Sequence, residues 1–158
     1  SRTGYSQLKY PGLQFVGNGA LYLYPSLLQN TSFNVTSLAA FRSPTSTTLN
    51  GTLSSRSPNY RLIYLFISRS NTVSSTNYHY LSVVRVDRDT TQFADTLTKS
   101  ALNAAGFPSS SAIYIAAYGL NYNYVDMIDS FAYIDPATGT KNIPGLSGTP
   151  RFITITVP

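Results

Sequence analysis

The sequence predicts an all-β chain folded as a two-sheet sandwich, with one short helix and an N-terminal extension. Three observations predict it. The longest apolar run, Arg61 to Ser68, has turn residues on both sides, Ser55 to Asn59 before it and Ser68 to Ser75 after it. A run of that length and setting reads as a buried central strand. A strand apolar on both faces needs cover on both, and a second such run, Ala112 to Tyr118, is its natural neighbour. Glu is absent and Lys scarce, and these are the usual residues of exposed helix faces.

At 158 residues the chain reads as one domain, residues 1–158, long enough to bury a core without disulfides or metals. Charged side chains are only 11% of it: 17, against 39 Ser and Thr. Its surface is therefore built from hydroxyl, amide and phenol groups rather than ion pairs. The net charge of +5 invites a nucleic-acid reading, but the bases are spread singly from Arg2 to Arg151. The tightest group, Arg85 and Arg88, has Asp87 and Asp89 interleaved, so no basic stripe forms and no nucleic-acid partner is expected. Without Cys there is no thiol or thiolate-metal chemistry. No apolar run approaches the roughly 20 residues of a membrane span.

In chain order, Ser1 to Pro11 has no strong period, and such a leader frays in a monomer unless something holds it. Leu13 to Val16 and Ala20 to Tyr24 read as short strands joined through Gly17-Asn18-Gly19. Phe33 to Phe41 starts as a strand with Phe33 and Val35 on one face, and its phase shifts near Ser37, the mark of a bulge. A turn on Ser43-Pro44 follows, then Thr47 to Leu53 as a weak strand interrupted by Asn50-Gly51. Beyond the central strand and a polar loop, Tyr78 to Val86 places Leu81 and Val83 on one face, Val84 and Val86 on the other, and reads as another inner strand.

Phe93, Leu97, Ala101 and Ala105 recur at steps of four, and Gly106-Phe107-Pro108 supplies a stop. Thr91, Thr96 and Thr98 are poor helix formers, so the helix is placed over about Thr98 to Ala105 and the first half is left open to a strand. Ala112 to Tyr118 and the Tyr-rich Asn121 to Ile134 return to strand. Asp135-Pro-Ala-Thr-Gly139 reads as a tight turn between arms Phe131 to Ile134 and Thr140 to Ile143. Phe152 to Val157 alternates Ile153, Ile155 and Val157 with Thr154 and Thr156, a strand with one buried face.

Catalytic groups are sparse. His79, the single histidine, has no orienting acid or nucleophile nearby in sequence, and it reads as a strand-rim residue. The six acids are all Asp. Asp87 with Asp89 and Asp126 with Asp129 are the close pairs, and Asp87-Arg-Asp89 lacks the further ligands of a calcium loop. Phosphate loops, zinc spacings and Gly-x-Ser-x-Gly are missing, so neither a cofactor nor an enzymatic activity is expected. Asn30-Thr-Ser, Asn34-Val-Thr and Asn50-Gly-Thr are candidate glycosylation sequons, and a start at Ser1 fits a mature secreted product, hence an extracellular or cell-surface location. The functional-looking excess is Tyr, thirteen in all, which suits contact between subunits or stacking on sugar rings.

The alternating strands, Ser/Thr/Tyr surface, N-terminal extension and C-terminal strand together resemble the secreted immunoglobulin- or fibronectin-like sandwiches that build donor-strand extracellular filaments. The resemblance covers the whole chain as architecture and rests on no diagnostic motif. It implies a non-enzymatic structural subunit of a filament, pilus-like appendage or surface layer whose partners are copies of itself. Residues 1–16, with Tyr5, Tyr10, Leu13 and Phe15, would complete a neighbour's sheet. The alternative expectation is an adhesive, carbohydrate-binding module using Tyr118, Tyr122 and Tyr124 as a platform.

Overall fold

The computed structural model describes residues 31–121, 133–134, 137, 139, 141–143 and 145–158. The expected strands at Leu13 to Val16 and Ala20 to Tyr24, and most of the Tyr-rich stretch after Asn121, lie outside the described residues, as does the N-terminal extension. The rest forms two antiparallel sheets. The smaller contains β1 (Val35–Arg42), β2 (Ser46–Leu53) and β5 (Gln92–Thr98) in the order β1-β2-β5. The larger contains β3 (Arg61–Ser68), β4 (Tyr80–Val86), β6 (Ala112–Asn121) and β9 (Arg151–Thr156) in the order β4-β3-β6-β9. One short helix, α1 (Lys99–Ala104), follows β5, and a two-stranded ribbon, β7 (Tyr133–Ile134) with β8 (Lys141–Asn142), lies between β6 and β9. Consecutive strands change sheet between β2 and β3, between β4 and β5, and between β5 and β6, as in immunoglobulin- and fibronectin-type sandwiches.

The first apolar run pairs with β6 along its whole length, from Arg61↔Asn121 to Ser68↔Tyr114, and so lies against the second run from Tyr114 to Tyr118. All eight residues of β3 are buried. Its inward residues Ile63, Leu65 and Ile67 join Leu49, Leu53, Phe93, Leu97, Ile113, Ile115 and Ile155 in the core between the sheets. Its outward residues Leu62, Tyr64 and Phe66 form a second cluster with Ala116 and Leu120. Val73 and Tyr78 from the loop after β3 and Ile143 and Leu146 from the chain before β9 pack on that cluster. The demand for cover on both faces of the central strand is thus met on one side by a sheet and on the other by loop residues.

Local features follow the residue types. The register of β1 on β2 shifts between Val35 and Ser37, the expected bulge, and the hydroxyls of Thr36 and Ser37 both lie within 2.8 Å of Thr52 Oγ1. Thr98 caps α1, its hydroxyl accepting from the Ala101 N–H at 3.2 Å. At the other end Gly106 (φ 84°) donates to Asn103 O and Phe107 donates to Leu102 O, a Schellman motif whose apolar pair, Leu102 and Phe107, is fully buried.

Two expectations need correction. Segment 47–53 is not interrupted at Asn50-Gly51, because from Thr47 to Thr52 β2 keeps continuous register with both neighbours, the bulge on β1 lying beyond Thr52. Gly51 lies opposite Phe93, whose ring occupies the place a Gly51 side chain would take, so the missing side chain is replaced across the strand pair. The inner strand expected from Tyr78 begins at Tyr80, after the loop closed by the Ser74–Asn77 bridge, and it is an edge strand of the larger sheet, with Val84 and Val86 packed on the core and Leu81 on the outer cluster.

Candidate interaction surfaces

A sandwich of this order has four edge strands. β1 and β5 bound the small sheet, and β4 and β9 the large one. β1 lies beside β9 and β4 beside β5, so the edges meet in pairs along two seams. The β4/β5 seam is bridged by Ser82, which donates to Asp95 Oδ2 at 2.7 Å. At the other seam Arg42 Nη2 donates to Val157 O at 3.2 Å, while β1 and β9 exchange no ladder hydrogen bonds. Among the described residues no strand pairs with the outer edge of β1 or of β9. Phe41 on β1 is 61% exposed and Phe152 on β9 58% exposed. Large exposed aromatics on open edges are unusual for a free surface.

The outer face of the small sheet has a different chemistry. Pairing aligns Ala39, Asn50 and Ala94 in one row, Ser37, Thr52 and Gln92 in the next, and Phe41, Thr48 and Thr96 on the other side. None of these nine side chains is ionisable. The two alanines flanking Asn50 leave a hollow, and the resulting trough of about 580 Å³ reaches down to Gly51 and Phe93.

The sequence-predicted residues fall at several places. Asn34 is exposed just before β1, its N–H donating to Ser54 Oγ, and Asn50 is exposed in the trough. Tyr118 is half-buried in the outer cluster of the large sheet, packed edge-on against Phe66 at 5.5 Å between ring centroids. Asn30, Tyr5, Tyr10, Leu13, Phe15, Tyr122 and Tyr124 lie outside the described residues. His79 is exposed, with Nδ1 3.1 Å from Ser68 Oγ, and it stands edge-on to Phe107. Ser68 is fully buried and also accepts the Ser70 N–H, so this serine closes a turn rather than facing a cleft. Asp87 meets Arg85 at 3.8 Å, both largely exposed, and the Arg85 and Arg88 guanidinium carbons each sit 4.8 Å from the Tyr60 ring centroid. Among the described residues no three His or Asp side chains gather as a metal site, and no helix is long and apolar enough to cross a membrane.

Among the described residues the one fully buried cation is Arg61, at the start of β3. It donates through Nη1 to Ser55 O and through Nη2 to Thr90 O, and desolvation pushes its pKa down from the ordinary arginine value. It ties two loops to the end of the core and faces no cleft.

Sequence reasoning missed the trough, although its signal was present: Thr48, Asn50 and Thr52, like Gln92, Ala94 and Thr96, are small or neutral at every second position. Set against known proteins, the chain matches no protein-family model and no curated protein.

Proposed function

We propose that the chain is a non-enzymatic structural subunit that assembles with copies of itself by strand addition, outside the cell, in a filament, pilus-like appendage or surface layer. The observation that carries this reading is the β1/β9 seam. There two edge strands lie side by side, unpaired on their outer edges among the described residues, with Phe41 and Phe152 exposed on them. An incoming strand satisfies such edges and covers the adjoining aromatic surface. Residues 1–16 are the donor in this reading, with Leu13 and Phe15 alternating as an added strand requires. A head-to-tail contact of this kind does not close on itself, so it propagates. Secretion and glycosylation at Asn30 and Asn34 belong to the same reading, Asn34 being exposed; the third sequon asparagine, Asn50, is exposed on a sheet face and stays outside this reading.

Electron microscopy and light scattering of the full chain against a deletion of residues 1–16 test it. The full chain is expected to form fibres, and the deletion to stay a folded monomer that binds a synthetic peptide of residues 1–16. A deletion that assembles like the full chain, or a full chain that remains monomeric at high concentration, refutes the proposal.

A further inference from the structure

We propose that the outer face of the three-stranded sheet is a binding site for a neutral saccharide. The face offers neutral hydrogen-bonding groups and one aromatic ring, and it carries no charge. A charged ligand entering it would lose hydration without gaining a counter-charge, whereas a sugar exchanges hydroxyl–water bonds for hydroxyl–amide bonds. The side-chain amides of Asn50 and Gln92 carry donors and acceptors that no described protein group engages. By contrast, the Thr52 hydroxyl is already shared with Thr36 and Ser37. The free amides thus sit where a ligand meets them, at the centre and at one end of the trough.

The shape agrees with this chemistry. Ala39 and Ala94 flank Asn50 in register, and Phe41 stands at the other end with 61% of its surface exposed. A pyranose presents an apolar C–H face and a rim of hydroxyls, which matches an aromatic wall beside two amides. The volume of about 580 Å³ lies within the usual range for small-molecule sites, about 300–1,000 Å³. The site uses no residue of 1–16, and of the side chains named at the β1/β9 seam it shares only Phe41, so its two amides and two alanines belong to the sheet face and not to the strand-addition reading.

The test is titration of the full chain with maltohexaose, cellohexaose, xylohexaose, mannohexaose and N-acetylchitohexaose, followed by calorimetry and amide chemical shifts. At least one is expected to bind with millimolar or tighter affinity and to shift resonances of β1, β2 and β5. Asn50→Ala and Gln92→Ala are each expected to weaken it about tenfold. Ala94→Leu, which fills the hollow from an exposed position, is expected to abolish it while the melting curve stays that of the parent. Lack of saturable binding to all five overturns the proposal. So does binding that is indifferent to the three substitutions, tighter binding of a sulfated oligosaccharide, or a covalent glycan on Asn50 of the natively produced protein.

Discussion

The guanidinium carbon of Arg61 lies 4.9 Å from the centroid of the Phe33 ring, and the same ring rests over Gly119, where a methyl group would come within 2.5 Å of it. Three residues from three parts of the chain thus seal one end of the sandwich. The cation is held without a carboxylate, by a ring face and the carbonyls of Ser55 and Thr90.

Arg61→Met keeps the bulk but leaves both carbonyls without their donor, and is expected to cost about 1–3 kcal/mol. Arg61→Lys is expected to recover less than half of that, because an ammonium lacks the planar fork that serves two carbonyls and stacks on a ring. Urea denaturation of the three proteins measures it. A Met variant as stable as the parent would mean that relief from burying the charge outweighs the clamp. The lowered arginine pKa gives the sign of the linkage. The unfolded chain holds this proton more firmly, so the group's contribution to stability rises with pH, and only in the strongly alkaline interval between its folded and unfolded values.

Gly119→Ala pushes a methyl group into the Phe33 ring and is expected to destabilise by about 1–3 kcal/mol. Phe33→Leu, which shortens the ring side, costs stability alone but is expected to absorb most of the Gly119→Ala penalty in the double variant. A double-mutant cycle by thermal melting checks this; strict additivity would place the clash elsewhere.

Thr47 is 1% exposed, and its hydroxyl has no hydrogen-bond partner among the described residues. Thr47→Val replaces that oxygen with a methyl group of similar size and is expected to stabilise by about 1 kcal/mol. A lower melting temperature for the variant would contradict it.

Thr98→Ala removes the cap of α1 and is expected to cost about 1 kcal/mol, while Thr98→Asp is expected to cost little. Amide exchange at Ala101 reads the loss locally, and unchanged protection there would exclude a capping role.

Much of this architecture was written in apolar runs. Arg61 to Ser68 and Ala112 to Tyr118 named the two central strands and their partnership, and Ser37 announced the bulge. Segment 92–98 was ambiguous for a physical reason. Phe93 and Leu97 are four apart, a spacing that puts them on one face at a period of 2 and also at 3.6. The chain uses both, as strand to Thr98 and as helix after it. The pairing of Gly51 with Phe93 joins residues far apart in sequence, so the apparent break in β2 was not readable as a filled position. The trough was hidden similarly, because it consists of small side chains whose meeting depends on inter-strand register. The tyrosine excess drew attention to Tyr118, which spends a ring contact on Phe66.

The two-sided burial of β3 also constrains how the polypeptide reaches this state. Its Leu62-to-Ile67 segment is six uncharged apolar residues, the composition of an aggregation-prone window. It gains its β4 flank early, but its other flank is β6, which a ribosome delivers only after some fifty further residues, a slow closure by loop entropy. Arg61 and Arg69 bracket the window and act as gatekeepers against intermolecular stacking in that interval. Exchanging Arg69 for an apolar residue therefore threatens the yield of soluble protein from a nascent chain more than it threatens the finished fold.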